Sequence, residues 1–85
     1  MFKEKPFIVE TAPARKGPWT RAAGGHCFEL AGQAYRVARK IWGPDQETRP
    51  WVRVRRYNSE RAVYILDGGT YKPIGENGRF GWVRQ

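Results

Sequence analysis

Between residues 26 and 42 apolar side chains recur at steps of three and four, and from residue 51 onward they recur at steps of two. The first pattern places Cys27, Leu30, Ala31, Ala34, Ala38 and Ile41 on one face of a helix running from His26 to Trp42. Glu29, Gln33, Arg36 and Lys40 occupy its polar face. Gly43 followed by Pro44 is a stop signal, because glycine accepts the left-handed cap and proline blocks a further turn. Gly32 costs the helix about 1 kcal/mol relative to alanine and suits a close approach to another element.

The second pattern predicts four short strands at residues 51–57, 61–66, 70–74 and 79–84. They are separated by Asn58-Ser59-Glu60, Asp67-Gly68-Gly69 and Gly75-Glu76-Asn77-Gly78. The last two breaks contain Asp-Gly and Asn-Gly, which tolerate the positive φ of hairpin turns. Consecutive hairpins give an antiparallel meander. Upstream, Phe7-Ile8-Val9 after Pro6 predicts another strand, and DQETRP at 45–50 reads as a polar connection. Residues 11–25, with two prolines, three glycines and Arg15, Lys16 and Arg21, form a basic loop or arm in which Trp19 needs a docking place. The expected fold is α+β: one amphipathic helix on a four-stranded antiparallel sheet, five-stranded if the N-terminal strand joins, in the order (β)αββββ. At 85 residues this is one small domain, whose core a second copy or a partner could complete.

Alternation assigns faces. In the strand from Trp51, Val52, Val54 and Arg56 point one way; Trp51, Arg53, Arg55 and Tyr57 point the other. Even-length hairpin loops would carry Val63, Ile65, Ile74 and Val83 to the valine side and Ala62, Tyr64, Leu66, Tyr71, Phe80 and Trp82 to the arginine side. One helix covers one face, and the small branched side chains of the valine side suit a helix carrying Ala31, Gly32 and Ala34. The arginine and aromatic side then stays partly open, unless the arm with Phe2, Phe7 and Trp19 covers it.

Charge gives that surface a meaning. Sixteen Lys and Arg against eight Asp and Glu leave +8, a bias that favours a polyanionic partner. Bases stack on aromatic rings, and guanidinium groups bond phosphates in pairs. The candidate binding residues are therefore Arg15, Lys16 and Arg21 on the arm and Trp51, Arg53, Arg55, Arg56, Tyr57 and Tyr64 on the sheet. The string Phe80-Gly81-Trp82-Val83 resembles the core of the RNP1 string of RNA-recognition motifs, but the preceding Gly78-Arg79 is in the opposite order and the terminal aromatic is missing. It assigns no family.

Other chemistry is thin. Cys27 is the sole cysteine and His26 the sole histidine, so neither a disulfide nor a four-ligand zinc site can form within one chain. Adjacent on a helix, the two point apart and make no dyad. The acids are scattered, and neither glycine pair sits in a phosphate-loop motif. No enzyme, cofactor or metal is expected. MFKEKPFIVE lacks the apolar run of a signal peptide, and no stretch reaches the roughly 20 residues of a membrane span, so a cytoplasmic protein is the expectation. The leading function is non-enzymatic binding of RNA or DNA. The alternative is a phage or mobile-element inhibitor, of the anti-CRISPR or anti-restriction type, docking on a host protein or nucleoprotein complex. Its size suits that role, and its Arg, Trp and Tyr also dominate protein hot spots. A homodimer closing the open face is a third arrangement.

Overall fold

A computed structural model describes residues 5–74 and 81–85. Its elements in order are β1 (Phe7–Ala12), β2 (Thr20–Arg21), a 3-10 turn (Ala23–Gly25), β3 (Cys27–Phe28), α1 (Ala31–Trp42), β4 (Thr48–Arg49), β5 (Trp51–Arg56), β6 (Ala62–Leu66), β7 (Gly69–Pro73) and β8 (Trp82–Arg84). All ladders are antiparallel. The larger sheet runs β2-β1-β5-β6, with β3 also on the outer edge of β1; the smaller runs β4-β7-β8. One helix packed on an antiparallel sheet is the α+β architecture the periodicities predict. No helix among the described residues is long and apolar enough to cross a membrane.

The N-terminal strand is central rather than peripheral. Each residue of β1 from Phe7 to Ala12 pairs with one of β5, from Arg56 back to Trp51. Alternation then sends Phe7, Val9, Val52 and Val54 to the helix side, where they pack with Ala34 and Ala38. Val9, Val52 and Val54 are fully buried, each contributing about 1.5–3 kcal/mol of apolar burial. The small side chains of α1 let its backbone come close, so the helix covers the valine side. Gly43 takes the left-handed cap (φ 73°), its N–H donating to the Arg39 carbonyl at 3.0 Å.

Four expectations need correcting. The helix starts at Ala31, not His26, because Cys27 and Phe28 pair with Ile8 and Phe7 and satisfy the outer edge of β1. Gln33 Oε1 then accepts the Leu30 N–H at 3.2 Å, covering a donor at the helix start. Thr48-Arg49 is a strand against Thr70-Gly69, not part of a loop. The strands after β5 are no continuous meander: β7 leaves β6 and pairs with β4 and β8. Gly68 makes that departure possible, since a Cβ there would lie 2.5 Å from the Trp51 backbone nitrogen. Finally, β6 is bulged: Arg55 stands opposite Ala62, as an even-length loop gives, but Val54 stands opposite Tyr64, leaving Val63 as the extra residue. Face parity therefore inverts. Tyr64 and Leu66 stand beside the valines, and Ile65 stands beside Arg53. The Gly75–Gly78 turn, Phe80 and Phe2 lie outside the described residues.

A buried arginine ties the smaller sheet to the helix end. Arg49 is 4% exposed, with its guanidinium 4.3 Å from the Trp42 ring centre, 4.0 Å from that of Tyr71 and 5.5 Å from that of Trp82. It donates to the carbonyls of Gln46 (2.7 Å) and Pro44 (2.5 Å), so ring faces and carbonyl dipoles take the place of a carboxylate.

Candidate nucleic-acid interface

The face of β5 opposite the helix carries Trp51, Arg53 and Arg55, as alternation requires. Glu10 of β1 stands directly across from Arg53. Its Oε1 accepts from Arg53 Nε at 2.9 Å and from Arg55 Nε at 2.6 Å. Arg55 Nη1 also donates to the carbonyls of Arg56, Tyr57 and Ser59, holding the β5–β6 loop. Trp19 of the arm lies over the Arg53 guanidinium, 4.3 Å from it to the ring centre. The arm is thereby docked, and the face expected to stay partly open has a lid. Both arginine side chains are only 14% exposed and Glu10 only 7%.

Electrostatics follows from that geometry. Burial pushes the Glu10 carboxyl up, but the hydrogen bonds and charges of Arg55 and Arg53 outweigh it, so its pKa lies below the ordinary carboxylate value. The hydrogen bond to Glu10 raises the Arg55 pKa in turn. The cluster uses the cationic capacity of Arg53 and Arg55 internally. Below it Ile8 is 1% exposed, so the side away from the helix has an apolar patch of its own.

The remaining sequence candidates are divided over the surface. Trp51 is half-buried beneath Arg84, which sits 5.0 Å from the ring centre and pairs with Asp67 at 2.9 Å. Arg56 lies on the helix side, exposed, 5.1 Å from the Phe7 ring centre. Tyr57 is exposed at the end of β5. Tyr64 stacks at a tilt on Tyr35 of α1, ring centres 4.8 Å apart. Arg15 and Lys16 are exposed on the turn between β1 and β2. Arg21, exposed on β2, donates to the Gly25 carbonyl (2.8 Å) and to Cys27 Sγ (3.2 Å).

A second cationic surface emerges on α1. Gly32, Tyr35, Arg36, Arg39 and Lys40 recur at steps of three and four, so they form a stripe beside the buried one. With Pro44 they line an open groove of about 590 Å³. Arg36, Arg39 and Lys40 are exposed, and among the described residues none of them makes an ion pair. Nothing stands within 4 Å of where a Gly32 Cβ would be, so a flat group has room beside the Tyr35 ring. Helical spacing places Arg36 and Lys40 on the polar face, but spacing does not distinguish them from the denser β5 arginines, which a carboxylate already holds. Glu10 is the signal that sequence reasoning missed: an acid in the apolar strand FIVETA requires a buried cation.

No group of three His, Cys, Asp or Glu able to hold a metal occurs among the described residues. No protein-family model, curated protein or solved structure matches the chain.

Proposed function

We propose that this protein binds nucleic acid without catalysis, contacting backbone phosphates with Arg36, Arg39 and Lys40 along α1 and with Arg15 and Lys16 on the β1–β2 turn. The observation that carries this reading is the exposed cation stripe beside Tyr35, without an ion pair among the described residues, on a chain whose net charge is +8. Helix dipole compensation accounts for cations in the last turn, Arg39 and Lys40, but not for Arg36 a turn earlier. Guanidinium forks suit phosphate oxygens, and the Tyr35 ring offers a base or sugar a stacking surface. Arg53 and Arg55 support the scaffold beneath the arm in this reading, holding Glu10 rather than phosphate.

Fluorescence anisotropy of labelled single-stranded and duplex oligonucleotides, titrated at low and moderate salt, tests it. The expected result is saturable binding, with an association constant whose logarithm falls linearly with the logarithm of salt concentration. A variant with Arg36→Gln, Arg39→Gln and Lys40→Gln reduces that slope by roughly 2–3, at about 0.7–0.9 for each phosphate that is no longer neutralised. A slope unchanged in the triple variant removes α1 from the interface. No binding to any oligonucleotide at low salt discards the reading. In that event the same Arg and Tyr surface is to be tested on protein or nucleoprotein partners, the inhibitor alternative.

A further inference from the structure

Tyr64 brings a second ring to the α1 groove. Past the bulge it stands opposite Val54, on the helix side of β6, and its ring meets that of Tyr35 with centres 4.8 Å apart and planes at 50°. A contact of that kind occupies at most one face of each ring. Tyr64 is still 41% exposed, because β6 ends the larger sheet and among the described residues no further strand covers it. Tyr35 is half-buried and lines the groove with Gly32 and Pro44, and the space over Gly32 is open. The lining therefore joins a ring, a glycine and a proline to the cations Arg36, Arg39 and Lys40.

The two parts of that lining suit two parts of one ligand. Arg36, Arg39 and Lys40, exposed and without an ion pair among the described residues, complement phosphates. A duplex offers this surface phosphate and sugar only, because its base faces are stacked on one another, and the ring pair adds little to such a contact. A single strand presents base faces as well, and each can stack on an aromatic ring. From Gly32 to Lys40 the helix rises about 12 Å, the length of roughly three or four nucleotides at ~3.4 Å each. A site that short reaches few phosphates, so stacking carries a large share of its affinity.

We infer that the ligand of the α1 groove is single-stranded nucleic acid, with a base stacked on the Tyr35–Tyr64 ring pair and the adjoining phosphates bonded by Arg36, Arg39 and Lys40. This rests on the nucleic-acid reading above and narrows it, since a duplex becomes the poorer ligand and Tyr64, on a strand outside the helix, joins the interface. Every base has a π-face, so the preference is for strandedness and only weakly for sequence.

Competition read by fluorescence anisotropy on the wild-type chain tests it. Labelled oligothymidylate is displaced by unlabelled oligothymidylate, by its duplex with oligodeoxyadenylate, and by an abasic oligomer that keeps the phosphates and lacks the bases, all of equal length. The duplex and the abasic oligomer are each expected to compete about tenfold or more less well than the single strand, the contribution of one base on one ring. Tyr64→Leu, at an exposed position, weakens single-strand binding by a similar factor and leaves the salt slope as it was, because that slope counts phosphates. Tyr64→Phe keeps the ring and retains the wild-type affinity. Equal competition by the duplex or by the abasic oligomer overturns the inference, as does wild-type affinity in Tyr64→Leu. In each of those cases a salt slope that still depends on Arg36, Arg39 and Lys40 leaves the broader reading standing. No binding to any oligonucleotide overturns both.

Discussion

Replacing Glu10 with glutamine tests the buried cluster beneath the arm. The change keeps the shape of the side chain and removes its charge, leaving Arg53 and Arg55, each 14% exposed, without a carboxylate. At an effective dielectric near 20 each attraction is worth about 4 kcal/mol at ~4 Å, much of it offset by the cost of drying three ions. Truncating one member of such a cluster costs about 3–5 kcal/mol, because the partners stay desolvated. The amide can still accept one hydrogen bond, which places Glu10→Gln at the low end, about 3 kcal/mol. For a domain of this size that corresponds to a fall in melting temperature of roughly 12–24 °C. Total stability of roughly 4–13 kcal/mol leaves some variants of this kind close to unfolding, so urea titration beside thermal melting is the right assay. The pH dependence gives the sign. The folded pKa of Glu10 lies below its ordinary value of 4.5, so its contribution is fully present only at pH above that value and is lost as pH falls through the folded pKa. The gap between wild type and Glu10→Gln is therefore widest at neutral pH and closes in acid. A loss under about 1 kcal/mol at pH 7, as for an exposed ion pair, or a gap independent of pH, refutes the reasoning.

Arg49→Lys keeps the charge but loses the planar stack and the paired donors to Gln46 and Pro44; a loss of about 2–3 kcal/mol is expected in urea, read by tryptophan fluorescence. Gly68→Ala drives a methyl group into the Trp51 backbone and costs about 1–3 kcal/mol, visible as a lower urea midpoint; an unchanged midpoint contradicts the close approach. Val54→Ala opens a cavity at a fully buried position and costs about 2 kcal/mol by the same titration.

Local pattern carried the parts of this fold that depend on local pattern. Ala34 and Ala38 against Val52 and Val54 follow from two periodicities, 3.6 and 2, and the Gly43-Pro44 stop follows from backbone sterics. Strand partnership does not follow. β1 lies next to β5 although the helix and its flanking strands intervene, and β7 chooses β4 over β6, neither of which has a local signature. The face of Tyr64 was lost through one residue: parity carries across the loop as far as Ala62, opposite Arg55, and the bulge at Val63 inverts it from Tyr64 onward. The candidate site was legible as composition and not as placement. The residues chosen for their chemistry are spread over both sides of the sheet, and the two most prominent arginines answer to an acid in another strand. The α1 stripe is present in the helical spacing, but which cations stay unpaired is decided by strands that spacing does not join.

Arg49 has a consequence for how the molecule opens. A guanidinium carried on the β4 edge and shared among the last residue of α1, the central strand β7 and the far edge β8 cannot be released by any one of them alone. Fraying of β7 and β8 leaves a desolvated cation beside Trp42, and unwinding the end of α1 uncovers the same charge. Amide hydrogens in β4, β7 and the final turn of α1 should therefore exchange with solvent as one cooperative unit, at a common opening free energy, although they belong to a helix and a sheet that share no ladder.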